Sequence, residues 1–381
     1  MTITYGELRD AVALATDRAV IRVRTIYEAS GGPGARLFPP TYPKDGQPRP
    51  YVVEERTVDG AVRQDVLLDS VASQANRAEE TLLRAQRAGR IAIPLMEIHH
   101  DGASQVILTS LELPHRYADA YLLDSEIDGV KFDKTELGRA FQAASLEDAT
   151  VLLRHDPGSV VFGAWNSHRK GRQAKFPRIY SSELVGWDPQ FGARRAGRMD
   201  PLNLTGLGRR DEEGALTFTA VGEKAKGEKL SEIGHGNIAP GEAHGGVTVS
   251  LAERFATVSL SGLDRVGFGA APYEAAVAAR ATIAAYALLA DRLAFSGPAL
   301  WLRSGCDLVT TSEVLEWVGR GGKVEPFTLS AAEAISLYEE ATSECGTAGM
   351  PLVTEPVRLV PGKGLRAAID FALTRAETTG E

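Results

Sequence analysis

The most apolar stretch of this chain, Tyr273 to Leu293, is Ala-rich and interrupted by Arg280, Asp291 and Arg292. A bilayer needs about 20 predominantly apolar residues, and Ala is a poor lipid anchor. The stretch therefore reads as a buried core helix, which the rest of the chain must cover with other elements. The 381 residues, 44% hydrophobic and 24% charged, suffice for a sizeable core. The elements around that helix alternate in kind. Ala19 to Tyr27 is rich in branched residues, with Arg22 and Arg24 on one face, and predicts a strand that is basic on one side. Gly31-Gly32-Pro33-Gly34 ends it, and a Pro-rich excursion (Pro39, Pro40, Pro43, Pro48, Pro50) follows as an irregular insertion. Tyr51–Val58 and Ala61–Leu68 flank Asp59-Gly60, a hairpin signal.

Next, a helix is expected over Val71–Ala88, capped by Asp69 or Ser70, with Val71, Ala75, Ala78 and Leu82 as its apolar stripe. Ser73, Gln74, Asn76 and Arg77 fall off that stripe near the helix start, where free N–H groups can seat a phosphate; ordinary capping is the plainer reading. A short helix is predicted from Tyr5 to Leu14 and another over 134–144, with strands at 91–98, 105–111, 159–164, 178–186 and 247–263. Helices are expected near Thr311–Val318, Ala331–Ser343 and Gly364–Arg375. Strands interleaved with helices at this spacing suit an α+β sandwich of the ferredoxin-like kind, heavily elaborated.

Charge is distributed unevenly. The whole chain carries −8, yet Trp165 to Arg210 holds ten Lys/Arg against three acids, Glu183, Asp188 and Asp200; that window is +7 and the remainder −15. Trp165, Asn166, His168, Phe176, Tyr180 and Trp187 lie in the same window. Cations neutralise phosphates and aromatic faces stack on bases, so the window can be a nucleic-acid groove, or a solvated basic face over core aromatics. Residues 221–247, rich in Gly, Lys, Glu and His, lack apolar periodicity and are expected to protrude. Lys224, Lys226 and Lys229 run there into Glu232, His235, Gly236 and Asn237, a composition that suits a loop closing over a nucleic-acid strand.

Enzymatic signals are few. The chain has no Walker-type phosphate loop, Gly-x-Ser-x-Gly elbow or His-Glu-x-x-His helix. Glu232, His235 and His244 have no metal-ligand spacing, and two cysteines, Cys306 and Cys345, make neither a disulfide framework nor a four-ligand zinc site. No cofactor or metal is expected. His99-His100 reads as a turn. The first residues show no basic region or long apolar run, so the expected location is cytoplasmic, with no membrane partner.

Four segments resemble a known family. They are Leu67-Leu68-Asp69-Ser70-Val71-Ala72-Ser73-Gln74-Ala75-Asn76-Arg77-Ala78-Glu79, Val161-Phe162-Gly163-Ala164-Trp165-Asn166-Ser167-His168, Phe176 to Gly186, and Lys229 to Ile238 with Gly245-Gly246-Val247-Thr248 after it. In this order they are similar to the type I-G (formerly I-U) CRISPR Cascade backbone subunit of the Cas-seven group, a RAMP superfamily protein. The resemblance implies one elaborated domain over 1–381 with a modified RNA-recognition-motif core. It implies a finger insertion at 32–68, a thumb loop at 211–247 and a C-terminal helical elaboration over 295–381. It also implies a non-catalytic protein that polymerises along CRISPR RNA and presents it to target DNA beside other Cascade subunits. A guide held by its backbone keeps its bases free to pair, and a head-to-tail interface that does not close makes a helical filament. The residues expected to line the groove are Arg22, Arg24, Ser73, Gln74, Asn76, Arg77, Asn166, Ser167, His168, Arg169, Lys170, Arg178, Ser181, Lys224, Lys226, Lys229, His235 and Asn237. The alternative is an endoribonuclease using His168, His235 or His244 with Glu232 as the nearest thumb acid.

Overall fold

The structure, a computed structural model, describes residues 2–14, 16–43, 46, 48–102, 105–166, 174–193, 197, 199–202, 204, 206–211, 214–220, 227–235 and 245–379. The elements used below are, in chain order, α1 (Tyr5–Ala11), β1 (Arg18–Ala29), β2 (Val53–Val58), β3 (Ala61–Asp69), α2 (Val71–Arg87), β4 (Met96–Asp101) and β5 (Gln105–Thr109). Then come α3 (Glu136–Ala143), α4 (Thr150–His155), α5 (Pro157–Val161), β6 (Ala164–Asn166), β7 (Ala174–Phe176), β8 (Tyr180–Trp187) and β9 (Ala252–Ser259). The C-terminal part holds α6 (Tyr273–Phe295), β10 (Ala299–Arg303), β11 (Cys306–Gly319), β12 (Val324–Phe327), α7 (Ala331–Thr347), β13 (Val357–Pro361) and α8 (Lys363–Thr379).

The fold is α+β. Its main sheet runs β10–β11–β1–β9–β8–β3–β2, with β12 also paired to β11. Four central strands, β11, β1, β9 and β8, are each antiparallel to their neighbours, and their chain order across the sheet is 4-1-3-2. The connection from β1 to β8 contains α2, and that from β9 to β11 contains α6. Both helices pack on the same sheet face and on each other. Helix α6 is buried from Ala275 to Phe295 apart from a few positions, as its composition demanded. A smaller sheet places β4 between β5 and β13, the latter in parallel.

Two features curl the main sheet. β1 and β11 slip register between Ile26 and Tyr27. Arg303, at the end of edge strand β10, donates to the Leu68 carbonyl at 2.9 Å, so strands far apart in the sheet order meet. The Asp59-Gly60 hairpin forms as expected, with φ of 51° and 81° at the two turn residues, conformations that suit Asp and Gly.

Some expectations change. Thr311–Val318 is not helix but part of the 14-residue strand β11, whose outer half is supported by β1 on one side and β12 on the other. Within 295–381, therefore, strands of the main sheet accompany the two helices. Of the finger stretch 32–68, the hairpin belongs to the main sheet through β3 and β8. Of residues 159–164, read as strand, 159–161 end helix α5 instead, where the Ser159 N–H donates to the capping Asp156 carboxylate, and only Ala164 is strand, opening β6. His99 and His100 lie within β4 rather than in a turn.

Candidate nucleic-acid interface

A cleft opens beside the short β6–β7 hairpin. Pro114, His115, Arg116, Phe162, Trp165, Lys175 and Arg178 line it, with a volume of about 450 Å³. Trp165 is 54% exposed, an unusual state for so large an apolar ring. Lys175 sits opposite it in the hairpin and holds its ammonium 5.8 Å from the ring centroid. Arg178 is exposed two residues before β8 begins.

Helix α2 sets the position of this cleft. Its buried Glu79 takes both ends of the Arg116 guanidinium, at 2.7 and 2.9 Å, and the remaining Arg116 nitrogen donates to the Gly163 carbonyl at 2.8 Å. Gly163 adopts φ of +83°, and a Cβ there would stand 3.0 Å from the Arg178 backbone nitrogen. Only glycine permits that turn. Helix, arginine, hairpin and Arg178 thus form one connected unit.

A second surface is the sheet face turned away from α2 and α6. Sheet register places Ser181, Thr257, Arg22 and Glu316 in one lateral row, and Glu183, Phe255, Arg24 and Val314 in the next. Side chains in such rows share a face. Every arginine here is already engaged. Arg22 donates to Glu316 through Nε at 2.6 Å, Arg24 pairs with Glu253, Arg56 pairs with Glu183 at 2.6 Å and with Asp65, and Arg63 pairs with Asp188 at 2.5 Å. Arg24 also covers Phe255 and Arg63 covers Trp187, whose indole N–H donates to Glu253 at 2.8 Å. Counting Glu54 beside Arg56, four guanidiniums meet six carboxylates, so this face is not basic.

The residues singled out by sequence divide accordingly. Arg22, Arg24 and Ser181 lie on the open sheet face, and Arg178 lines the cleft. Asn166, in β6 beside Trp165, is largely buried, and Asn76 is exposed on α2. Ser73, Gln74 and Arg77 do something different. Their side chains donate to the fully buried Asp69 carboxylate at 2.7, 2.5 and 2.8 Å, and Arg303 approaches it at 3.4 Å. Gln74 is wholly enclosed and accepts from Ser182 and Arg254, so it is removed from the groove residues. Lys229 is exposed in a two-residue strand, Glu228–Lys229, and its N–H donates to the Glu232 carboxylate at 3.2 Å; half-buried His235 follows the turn after it. Ser167, His168, Arg169, Lys170, Lys224, Lys226 and Asn237 lie outside the described residues, as does His244. The cleft and the open sheet face are linked along the chain at the start of β8, where Arg178 precedes Ser181 by three residues.

Sequence reading missed Arg116 and Lys175 as site residues. Lys175 carried a signal, its place in the basic window; Arg116 carried none, because Glu79 and Gly163 that fix it are distant in sequence. Among the described residues no three His, Cys, Asp or Glu side chains gather to hold a metal, and no helix is long and apolar enough to cross a membrane.

Residues 21–190 match the family model described as CRISPR-associated protein GSU0053. Among solved structures the chain resembles Csc2 of Thermofilum pendens at 13% identity, over 93% of this chain and 83% of that one, with a TM-score of 0.27, too low to say more. No curated protein matches the chain. The matched segment carries the cleft and most of the main sheet's first half, and over it the chain is similar to CRISPR-associated proteins described as GSU0053.

Proposed function

We propose that this chain is a non-catalytic RNA-binding backbone subunit of a Cascade-type CRISPR complex, gripping the guide by its ribose-phosphate chain in successive copies. In this reading the 4-1-3-2 sheet with α2 and α6 is a modified RNA-recognition-motif core, and target DNA pairs with the bases left free. The observation that carries the reading is the cleft where exposed Trp165 stands among Lys175, Arg178 and Arg116. A stacking ring beside cations is what a single strand requires of a protein that ignores its sequence.

Titration of a mixed-sequence single-stranded RNA at several salt concentrations tests it. Arg178→Ala should weaken binding irrespective of sequence and flatten the slope of log K against log salt by about 0.7. Trp165→Ala should cost about 1–3 kcal/mol. An unchanged slope removes Arg178 from the interface, and equal affinity for DNA and RNA of one sequence favours a general single-strand binder. Incubation with guide RNA, with and without magnesium, tests the alternative of an endoribonuclease; cleavage would support it.

A further inference from the structure

We infer that Glu316 sets what the open sheet face accepts, by occupying on Arg22 the place a backbone phosphate would take. The inference rests on the reading of the chain as an RNA binder. Carboxylate and phosphate compete for the same planar fork of guanidinium donors. The Glu316 carboxylate engages Arg22 through Nε at 2.6 Å and Nη2 at 2.5 Å. Its own side chain is 13% exposed, whereas that of Arg22 is 40% exposed. An incoming anion can therefore reach the guanidinium but must exchange with a partner already in position. Because carboxylates outnumber guanidiniums on this face, a free polyanion gains little by approaching it.

A strand already anchored in the Trp165 cleft is in another position. Ser181 follows Arg178 by three residues, roughly 10 Å of extended chain, and Arg22 lies two strands from Ser181 in the same row, roughly 10 Å across. Tethering at that distance raises the local concentration of phosphate on Arg22 to the millimolar range. The face then accepts a chain that the cleft has selected and refuses one that it has not. Glu316 is in this sense a specificity-determining residue rather than a strut alone.

The test compares the parent, Glu316→Gln, and Glu316→Gln with Arg22→Ala, against single-stranded RNA and against inorganic polyphosphate, which offers no base to stack. Freeing one arginine should add one phosphate contact, worth about fivefold in affinity at 0.1 M salt. Polyphosphate binding should rise with Glu316→Gln and fall back when Arg22 is also removed. Glu183→Gln, in the adjoining row, removes one of the carboxylates on Arg56 while Asp65 keeps its Nε, so it should act in the same direction but less strongly, and it serves if the first variant folds poorly. Unchanged polyphosphate and RNA affinity in both glutamine variants would overturn the proposal, leaving the face as internal bracing or a protein contact. A parent that ignores RNA altogether would instead remove the RNA-binding reading, whatever the glutamine variants do with polyphosphate.

Discussion

Removing the Asp291 carboxylate strikes a polar cluster enclosed in the core. Asp291 accepts from the Tyr180 hydroxyl at 2.8 Å, from Arg254, and from Arg292 at 2.9 and 2.6 Å, and all three charged side chains are at most 1% exposed. Burial pushes its carboxyl up, but the Arg254 and Arg292 guanidiniums outweigh that and hold it at about 2. In Asp291→Leu, Arg292 keeps Glu313, at 2.6 and 3.0 Å. Arg254 keeps only neutral acceptors, Gln74 and Tyr180, and the face of Phe295. One desolvated cation without counter-charge should cost about 3–5 kcal/mol, much of a domain's total stability. Asn at the same place retains an acceptor and should cost about half as much. Urea unfolding followed by far-ultraviolet circular dichroism measures the loss, provided that the slope m is unchanged. A loss below about 1 kcal/mol in the leucine variant would refute the argument that Arg254 depends on this carboxylate. Since the group is depressed, its contribution is complete above pH 3.8 and is lost as pH falls through about 2.

The neighbours His155 and Asp156 should give opposing pH dependences. Burial pushes Asp156 up to about 6, so its contribution is largest below pH 3.8 and is lost as pH rises through 6, about 3 kcal/mol in all. Burial, with Arg154 beside it, lowers half-buried His155 to about 4, so its contribution is present above pH 6.5 and is lost as pH falls through 4. Asp156→Asn should therefore steepen the fall of melting temperature between pH 6 and 4; a parallel profile would count against the assignment. Gly163→Ala, placed at φ of +83° against the Arg178 backbone, should cost about 1–3 kcal/mol and weaken RNA binding together with stability. Retained RNA affinity in a destabilised variant would detach the turn from the interface.

Element identity was legible wherever one periodicity ruled. Helix α2 starts at Ser70, one of the two caps that the sequence offered, β1 covers the branched run with its alternating arginines, and α6 is the buried helix its alanines required. The helix expected at Thr311–Val318 became strand because Val314 pairs with Arg24 of β1, and Val318 pairs with Val20 of β1 on one side and Val324 of β12 on the other. No local pattern announces such partners. The site was legible in part, since Trp165 and Arg178 stood in the basic window and do share the cleft. Ser73, Gln74 and Arg77 misled because a helix start rich in small polar side chains reads alike whether it faces a phosphate or an aspartate of the preceding strand. Here Asp69 fills that place.

The deeper reason is that sequence counts charges and function depends on which of them remain unspent. On the open face Arg22, Arg24, Arg56 and Arg63 each close on a carboxylate that lies at least two residues away, most of them in other strands. Arg254 and Arg292 are consumed inside the core, and Arg77 and Arg303 around Asp69. What separates Lys175 and Arg178 from these is their setting. They flank an exposed aromatic ring in a hairpin that Glu79 and Arg116 brace from behind, with the bracing carboxylate buried and turned away from solvent. A carboxylate spent on holding the scaffold cannot also neutralise the surface it supports. An acidic chain can in this way present a local cationic cleft, and its net charge of −8 is no argument against a polyanionic ligand.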